Sequence, residues 1–541
     1  MKTCQIFKNR DSLPNNQNNH NEKIIFFVDD LYTEPSIEQV RKLTDDIYRS
    51  NNAFINFHQY KGYKISWLWF DEIYQLSKNF LRIKPILELI EKNNIERIIL
   101  EDIDPKHVKI FKLYFFRKNI LSKGTFSLRL YLNQFIVNIL GIFFTFIYLI
   151  ASKFNKNKKV AVFSNDYVFE NFDSDVRLIN LYQSLRKDNR QIFEFIRVIS
   201  FKNLIKNIIK RRRLACYFSS FHFIFLTFQR KNRSKFIPQN YKESILFSLN
   251  ESNIALKRNI HFIRKILKFS RINNFIPIEV SSRNAAINIA AKVEKIKTIG
   301  IMHGLVSKED MPQDFMEAYN LENYFGFDKF GVWSRYYLDY YKKYSKVFNP
   351  NNLEVSGILR TPEFIENSPR VIAESSTKIK CLVISELHLP ISQCLSFYQK
   401  LLECNYINLT IKVRPMIKDS FVDALIQNDK RFSRVKVENG RLEDIAKNYD
   451  VFIGTNSTAV LEASIYGKIS VLLYTKMFLD YFEINSLFPE KKLLITEPEN
   501  ISKEILFRVK NEPKLNTIEK IKERYFGKLT DGSKWIVKNL C

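Results

Sequence analysis

Cysteine pairs and metal-binding clusters are missing from this 541-residue sequence. The six cysteines lie far apart and form no CxxC pair, and the seven histidines never fall near one another or near a cysteine at metal-ligand spacing. A disulfide framework and a structural zinc site are therefore not expected, and a reducing, cytoplasmic compartment is favoured. Any metal ion would need carboxylate ligands. The cysteines are Cys4, Cys216, Cys381, Cys394, Cys404 and Cys541.

An export signal and a repeat of solenoid length are also missing. Residues 1–22 are polar and rich in asparagine, with no apolar run, so the sequence predicts a disordered leader rather than a secretory signal. The length exceeds what one ordinary hydrophobic core supports, and it predicts two or three domains.

Acidic residues are few relative to basic ones. Lys and Arg number 85 against 57 Asp and Glu, which gives a formal net charge of +28. Such a surplus attracts anionic lipid, nucleic acid or phosphorylated substrates. No zinc finger and no basic region running into heptads is visible, so a nucleic-acid partner is not expected.

The longest uncharged run is FIVNILGIFFTFIYLIA, from Phe135 to Ala151. Its 17 residues equal the length of the shortest membrane spans, which is roughly 17 residues. Because basic residues flank the run on both sides, a helix lying in the cytoplasmic leaflet is favoured over a single crossing. A buried core helix is the alternative. The aromatic stretch from Leu214 to Phe228 is favoured as a buried helix over one at the membrane surface.

The middle of the chain has the pattern of a parallel strand-helix-strand unit. Strands are predicted from Ile276 to Val280 and from Thr298 to Met302, around an alanine-rich helix from Asn284 to Lys295. The loop after the second strand then lies at the carboxyl edge of a sheet, where open α/β sheets bind ligands.

His303 and Glu279 are the candidate acid–base residues of this unit. His303 follows the second strand, and Gly304 after it permits a sharp turn that exposes the imidazole. Imidazole exchanges protons near neutral pH, so it can take a proton from an acceptor hydroxyl or donate one to a phosphate. Glu279 ends the neighbouring strand and either orients His303 or serves as the base instead. A structural histidine is the alternative.

A strand, a polar turn and a helix are predicted from Asp450 to Ala463. The turn residues Asn456, Ser457 and Thr458 carry oxygens that cap helices, and the free N–H groups of a helix start attract phosphate. Glu462 lies one turn further along, on the side of Thr458, in a position to meet a ribose hydroxyl. An ordinary capping turn is the alternative.

Lys412 and Arg414 end another predicted strand, from Leu409 to Val413. Arg binds phosphate through paired hydrogen bonds and Lys binds it as a point charge. Because this strand and the one from Asp450 to Gly454 belong to one predicted parallel sheet, their loops share an edge. Solvated surface cations are the alternative.

Four segments occur in the order seen in GT-B-fold enzymes of bacterial surface-carbohydrate synthesis. They are IGIMHG (Ile299 to Gly304), VSGILRTPEF (Val355 to Phe364), KVRP (Lys412 to Pro415) and GTNSTAVLEASIYGK (Gly454 to Lys468). From about Asn274 to Leu494 the chain resembles the group that includes CDP-glycerol glycerophosphotransferases and CMP-sugar-dependent sialyl- and Kdo-transferases.

The resemblance implies an α/β, GT-B-like fold in which two Rossmann-like domains face a cleft. The apolar run adds the expectation of a membrane-associated helix inserted in the N-terminal half. The expected divisions are a disordered leader 1–22, an N-terminal α/β unit 23–125, a membrane-associated helix 126–158, a Rossmann-like acceptor domain 159–328 and a Rossmann-like nucleotide-sugar-binding domain 329–541.

It also implies roles for the candidate residues. His303 would be the catalytic or acceptor-side histidine, and Glu279 stays a catalytic candidate from its position at the strand end. The family's usual Lys-x-His-Pro has Arg414 here in place of its histidine. GT-B enzymes generally need no divalent ion, because basic side chains and helix dipoles stabilise the departing phosphate, so neither a metal nor a cofactor is expected. The residues expected to bind the donor are Lys412, Arg414, Asn456, Ser457, Thr458, Glu462 and Arg360.

The expected function is transfer of a sugar from a nucleotide-activated donor, CMP- or CDP-linked in preference to UDP-linked, to a lipid-linked or polysaccharide acceptor at the cytoplasmic face of the inner membrane. Open alternatives are a polyol-phosphate transferase, a sugar-nucleotide epimerase on the same fold, and a non-catalytic membrane scaffold of polysaccharide assembly. Asp102 and Asp104 form a DxD that would suit a metal-dependent GT-A site, although a lone DxD is common by chance.

Overall fold

The computed structural model describes residues 2–8, 23–49, 59–65, 69–123, 128–154, 157–164, 178–196, 204–205, 215–227, 240–278, 284–308, 315, 327–345, 347–359, 378–386, 389–414, 420–477, 479–488 and 494–540. Glu279 and Arg360 lie outside these residues. Within them the chain forms three parallel sheets with helices between the strands, together with one small antiparallel hairpin. This confirms the expected α/β class.

The strands alternate with helices along most of the chain, as parallel sheets require. The strands are β1 (Thr3–Phe7), β2 (Lys23–Phe27), β3 (Gln59–Tyr60), β4 (Tyr63–Lys64), β5 (Arg97–Glu101), β6 (Asn119–Lys123), β7 (Lys159–Ser164), β8 (Gln191–Ile196), β9 (Ile272–Ile278), β10 (Lys297–Ile301), β11 (Lys329–Val332), β12 (Leu353–Val355), β13 (Ile379–Ile384), β14 (Ile407–Lys412), β15 (Lys436–Glu438), β16 (Val451–Gly454), β17 (Ile469–Leu473) and β18 (Leu494–Ile495). The helices are α1 (Val28–Leu31), α2 (Ile37–Arg49), α3 (Phe70–Lys92), α4 (Pro105–Tyr114), α5 (Leu128–Lys153), α6 (Ile179–Lys187), α7 (Phe218–Thr227), α8 (Tyr241–Phe269), α9 (Ala285–Val293), α10 (Arg335–Tyr344), α11 (Leu395–Leu402), α12 (Phe421–Asn428), α13 (Leu442–Ile445), α14 (Thr458–Glu462), α15 (Ile501–Leu515), α16 (Thr517–Phe526) and α17 (Gly532–Lys538).

The first sheet has the strand order β2-β1-β5-β6, with every pair parallel. Strand β1 is an inner strand, and its Cys4, Ile6 and Phe7 are buried. The prediction of a disordered leader is therefore wrong for Thr3–Phe7, because β2 and β5 pair with the two sides of this strand. A five-residue strand is too short for periodicity to reveal beside an asparagine-rich segment.

The second sheet has the order β12-β11-β10-β9-β7-β8, again parallel. Strands β9 and β10, which precede and follow helix α9 in the sequence, pair in parallel, as the strand-helix-strand pattern predicts. Strands β11 and β12 continue this sheet, so the predicted domain boundary between residues 328 and 329 is wrong. A strand-helix-strand pattern looks the same in either Rossmann-like domain, and only the pairing of the strands shows to which sheet they belong.

The third sheet has the order β15-β14-β13-β16-β17-β18, also parallel. Strand β13 is central, with β14 on one side and β16 on the other. Strands β13, β16 and β17 are almost wholly buried, as expected for parallel strands covered on both faces. The carboxyl ends of β14, β13 and β16 consequently lie side by side.

The end of the chain returns to the second sheet. Asp531 forms a parallel bridge with Ile358, and the Gly532 N–H donates to the Ile358 carbonyl at 2.7 Å. Helix α17 then packs beside α6, where Ile536 joins a buried apolar cluster with Leu181. The two larger sheets are thus connected both between β12 and β13 and by the segment before α17.

Helix α5 contains the long apolar run and extends it at both ends. One face packs on α7, where Gly141 lies so close to Ser220 that a Cβ would clash with the serine hydroxyl. The Tyr217 N–H also donates to Thr145 Oγ1 at 2.9 Å. Helix α7 lies within the stretch from Leu214 to Phe228.

Candidate functional site

Three loops converge at the carboxyl edge of the third sheet. Glu386 follows β13, Arg414 follows β14 and Thr455 follows β16. The Thr455 N–H donates to Glu386 Oε1 at 2.7 Å, which joins the loops after β13 and β16. The central strand therefore inserts a carboxylate between the two loops that the sequence predicts at this edge.

Glu386 was not among the candidates drawn from the sequence. Its side chain is 5% exposed, and burial raises its pKa above the ordinary value of 4.5, against the lowering effects of the Thr455 hydrogen bonds and the Arg414 charge. The acidic side chain directly after a buried apolar strand was the available signal. Arg414 lies at the same edge, because β14 pairs with β13 up to Lys412 opposite Ile384.

Gly454 permits the close packing of this edge. A Cβ at this position would lie 2.7 Å from Val460 Cγ2 and 3.1 Å from Glu386 Oε1. Any side chain would push helix α14 or the carboxylate away. Glycine therefore keeps Glu386 in contact with the loop after β16.

The turn before helix α14 does not use its side chains as predicted. Ser457 occupies the N-cap position with an extended backbone and makes no side-chain capping hydrogen bond. Thr458 Oγ1 instead accepts the N–H of Leu305 at 3.0 Å, and Thr455 Oγ1 lies 3.3 Å from Asn456 Oδ1. The expectation of side-chain capping by Ser457 is therefore wrong. Helix α14 is short, and the hydroxyl of its first residue, Thr458, bonds to the loop after β10 instead.

Lys412 and Arg414 occupy different environments. Lys412 is 7% exposed, and its Nζ donates to the Val413 carbonyl at 2.5 Å. The pKa of nearby Glu438 is lowered, chiefly by a hydrogen bond from Lys436 and in smaller part by the charge of Lys412. Arg414 is more accessible and lies toward Glu386.

Glu462 ends helix α14, one turn after Thr458, and is buried. It follows the buried pair Val460 and Leu461, so this face of the short helix packs inward. Its predicted contact with a ribose hydroxyl remains a prediction.

The loop with His303 leaves the carboxyl end of β10 in the second sheet. Trp333 holds its start, because the indole Nε1 donates to the Met302 carbonyl at 2.7 Å. Helix α10 holds its far end: Tyr337 donates its hydroxyl to the Val306 carbonyl at 3.3 Å, and Tyr340 accepts the Lys308 N–H at 3.0 Å. His303 is half-buried within a loop fixed at several points.

The two carboxyl edges meet at this loop. The Leu305 N–H bonds to Thr458 Oγ1, and a Cβ on Gly304 would lie 3.4 Å from the same oxygen. Gly304 has no positive φ, and a Cβ here would make only an ordinary van der Waals contact, so neither the sharp turn predicted from the sequence nor close packing requires glycine at this position. His303 lies two residues before the interdomain hydrogen bond, and the structure thus brings its loop to the turn containing Asn456, Ser457 and Thr458.

The DxD pair lies on the first sheet, away from this meeting point. Asp104 accepts the Lys106 N–H at 2.8 Å and caps helix α4. Among the described residues, no group of three or more His, Cys, Asp or Glu side chains has the arrangement of a metal site.

No protein-family model and no curated protein sequence matches this chain. Three solved structures share part of its chain path. A glycosyltransferase from Rickettsia africae is 9% identical, with 71% of this chain and 98% of that chain covered and a TM-score of 0.44. The UDP-GlcNAc 2-epimerase from Neisseria meningitidis, bound to UDP-GlcNAc, is 13% identical, with 70% and 98% covered and a TM-score of 0.44. HepE from Anabaena, in complex with UDP-glucose, is 14% identical, with 71% and 100% covered and a TM-score of 0.43. TM-scores of this size describe a loose likeness.

Proposed function

We propose that this chain is a GT-B-type glycosyltransferase of surface polysaccharide synthesis. It transfers a sugar from a nucleotide-activated donor, with CMP- or CDP-linked donors favoured, to a lipid-linked or polysaccharide acceptor. Its proposed place of action is the cytoplasmic face of the inner membrane. The preference for cytidine nucleotides rests on the ordered motifs in the sequence.

The hydrogen bond from the Leu305 N–H to Thr458 Oγ1, at 3.0 Å, is the observation that carries the proposal. It joins the carboxyl edges of two parallel sheets, and such edges are where open α/β sheets bind ligands. A ligand between the sheets would contact the loops of both. This is the arrangement that bringing a donor and an acceptor together requires.

The third sheet supplies the donor side in this proposal. Arg414 is accessible, carries a permanent charge and can bind a phosphate through two parallel hydrogen bonds. The Ser457 hydroxyl is not used in capping and can add a further contact. Lys412 is buried and donates to the Val413 carbonyl, so in this proposal it contributes mainly a background positive charge.

The second sheet supplies the acceptor side. His303 removes the proton of the acceptor hydroxyl while that oxygen forms a bond to the anomeric carbon of the donor sugar. The bond from this carbon to the nucleotide phosphate breaks, and its electron pair remains on the phosphate. Arg414 and the backbone N–H groups of the turn stabilise this charge, so no divalent ion is required.

Helix α5 and the net charge of +28 favour an acceptor at a membrane. Cations gather at anionic lipid, and an exposed apolar helix face binds the interfacial region. A lipid-linked acceptor would be reached without leaving that surface.

A nucleotide panel on the detergent-solubilised, full-length protein tests the proposal. We expect CMP or CDP to raise the Tm more than UDP, and we expect this shift to be lost in Arg414→Gln and kept in Arg431→Gln. A scaffold would show no shift with any of the three nucleotides. Product analysis with sugar nucleotides and with CDP-glycerol then separates glycosyl transfer from polyol-phosphate transfer, and an epimerised donor formed without acceptor would contradict the proposed reaction.

A further inference from the structure

Helix α5 exposes a continuous apolar stripe. An α-helix turns by about 100° per residue, so the six side chains of this stripe, from Leu132 to Ile150, lie within an arc of about 80° and extend over about 27 Å of the helix. Phe143 and Ile150 are 57% and 60% exposed, respectively. A patch of this length on a folded surface indicates a binding surface. The exposed stripe consists of Leu132, Ile136, Ile139, Phe143, Phe146 and Ile150.

The opposite face of α5 is attached to the protein. Its buried side chains include Asn138, Thr145 and Ser152, whose polar groups bond to carbonyls of the same helix. The burial of these side chains and the packing on α7 show which face is presented outward. The helix therefore has one attached face and one apolar outer face.

The charges around the exposed stripe suit anionic lipid. Helix α5 contains no acidic residue. At the end of the helix, the exposed Lys153 lies 5.2 Å from the centre of the Phe269 ring. Lys158 follows Lys153 by five residues, Arg271 follows Phe269 by two, and both are exposed. Phe154 is 81% exposed. Aromatic rings and cations beside an apolar surface match the boundary between acyl chains and anionic headgroups.

Both ends of α5 lie on one side of any membrane. The helix connects β6 of the first sheet to β7 of the second, and these two units are packed together through α8. Phe80 and Tyr241 stack at 4.4 Å, and the Trp69 indole donates to Asn253 Oδ1 at 3.2 Å. A crossing helix would place the two units on opposite sides of the bilayer and break these contacts.

We propose that α5 lies in the plane of an anionic membrane surface, with the exposed stripe among the lipids and without crossing the bilayer. This deepens the membrane location given under the proposed function. The test uses lipid vesicles without nucleotide. A failure to bind lipid would therefore contradict this proposal, whereas a failure to bind nucleotide would contradict the proposed function.

Vesicle flotation of the full-length protein tests the exposed stripe. We expect binding to phosphatidylcholine vesicles that contain about a third phosphatidylglycerol, and a loss of at least tenfold in Phe143→Gln/Ile150→Gln. The matched control is Phe507→Gln/Val437→Gln, which replaces two exposed apolar residues, one on α15 and one on β15, and should bind as the parent does. Equal melting temperatures would show that both variants fold. Unchanged vesicle binding of Phe143→Gln/Ile150→Gln would overturn the proposal. It would also be overturned if the parent protein were a dimer without lipid and Phe143→Gln/Ile150→Gln, but not the control variant, were a monomer.

Thiol labelling tests the in-plane orientation. Lys112→Cys and Lys158→Cys place exposed thiols before and after α5. With protein bound to the outside of sealed vesicles, a membrane-impermeant maleimide should label both positions above the background of the native cysteines. Labelling of one position and protection of the other until detergent is added would mean a crossing helix and would overturn the proposal.

Discussion

Thr455 donates its backbone N–H to the buried carboxylate of Glu386 at 2.7 Å, between the central strand of the third sheet and its neighbour β16. The bond fixes the start of the turn that carries Asn456, Ser457 and Thr458. The same carboxylate is influenced by the charge of Arg414, on the other side of β13. Glu386 thus connects the cation and the hydroxyls of the proposed donor site without having been a candidate from sequence.

Replacing Glu386 separates its hydrogen bond from its charge. Glu386→Gln keeps an acceptor for the Thr455 N–H, whereas Glu386→Ala leaves a buried donor unpaired and should lower the free energy of unfolding by about 1–3 kcal/mol. We expect Glu386→Gln to be the more stable of the two in urea unfolding near pH 5. Equal stability of the two variants would contradict the role of this hydrogen bond.

The same variant has an expected pH dependence. Burial, the largest influence, raises the pKa of Glu386 in the folded protein above 4.5, so the folded state binds this proton more tightly than the unfolded state. Its stabilising contribution is complete below pH 4.5 and is lost as the pH rises through the folded pKa. Because glutamine does not titrate, Glu386→Gln should gain stability relative to the parent as the pH rises from 4.5. A constant difference in urea unfolding across this range would refute the expected shift.

The hydroxyl of Thr458 joins the two sheets. Thr458→Val removes the acceptor for the Leu305 N–H at similar side-chain volume, while Thr458→Ser retains it. We expect Thr458→Val to lower kcat/KM about tenfold, since the two halves of the site lose their register, and Thr458→Ser to remain near the parent. Steady-state kinetics with saturating acceptor check this. Near-parental kcat/KM in Thr458→Val together with a loss in Thr458→Ser would indicate packing of the methyl group instead of the hydrogen bond.

His303 is expected to act on the acceptor. His303→Ala should lower kcat by at least about a hundredfold and leave the nucleotide Kd within about twofold of the parent. The matched control is His261→Ala, an exposed histidine of α8, which should keep full turnover. Near-parental turnover in His303→Ala would remove this residue from the mechanism.

Trp333 should act on catalysis through the position of the His303 loop. Trp333→Phe removes the hydrogen bond to the Met302 carbonyl, and Trp535→Phe removes a similar bond to Glu354 at 3.1 Å, outside the loop. Each should lower the free energy of unfolding by about 1 kcal/mol, but only Trp333→Phe should lower kcat, by about tenfold. Equal kcat values for the two variants would show that Trp333 contributes to stability and does not position the His303 loop for catalysis.

Arg414 is expected to bind the donor phosphates. Arg414→Gln should raise the nucleotide Kd about tenfold or more, because a charge-assisted hydrogen bond contributes about 1.5–3 kcal/mol. Arg431→Gln, in which the replaced guanidinium pairs with Asp429 in the same domain, is the control and should leave the Kd unchanged. Calorimetric titration with CMP and CDP measures both. An unchanged Kd in Arg414→Gln would contradict the donor role.

Much of the local structure could be predicted from periodicity. The strands before His303 and before Asn456 lie within one residue of their predicted ends. Apolar runs followed by polar or glycine residues fix such elements locally. The same reasoning missed Thr3–Phe7, which owes its order to neighbours that are distant in sequence.

Local sequence patterns account for the alternation of strands and helices, the long apolar helix and the positions of His303, Arg414 and Thr458 at strand ends, because each depends on a few adjacent residues. Three relationships are visible only in the folded chain: β13 separates β14 and β16, β11 and β12 belong to the second sheet, and Leu305 contacts Thr458. These relationships depend on pairing and packing between segments far apart in the chain, and local periodicity carries no record of which segments become neighbours.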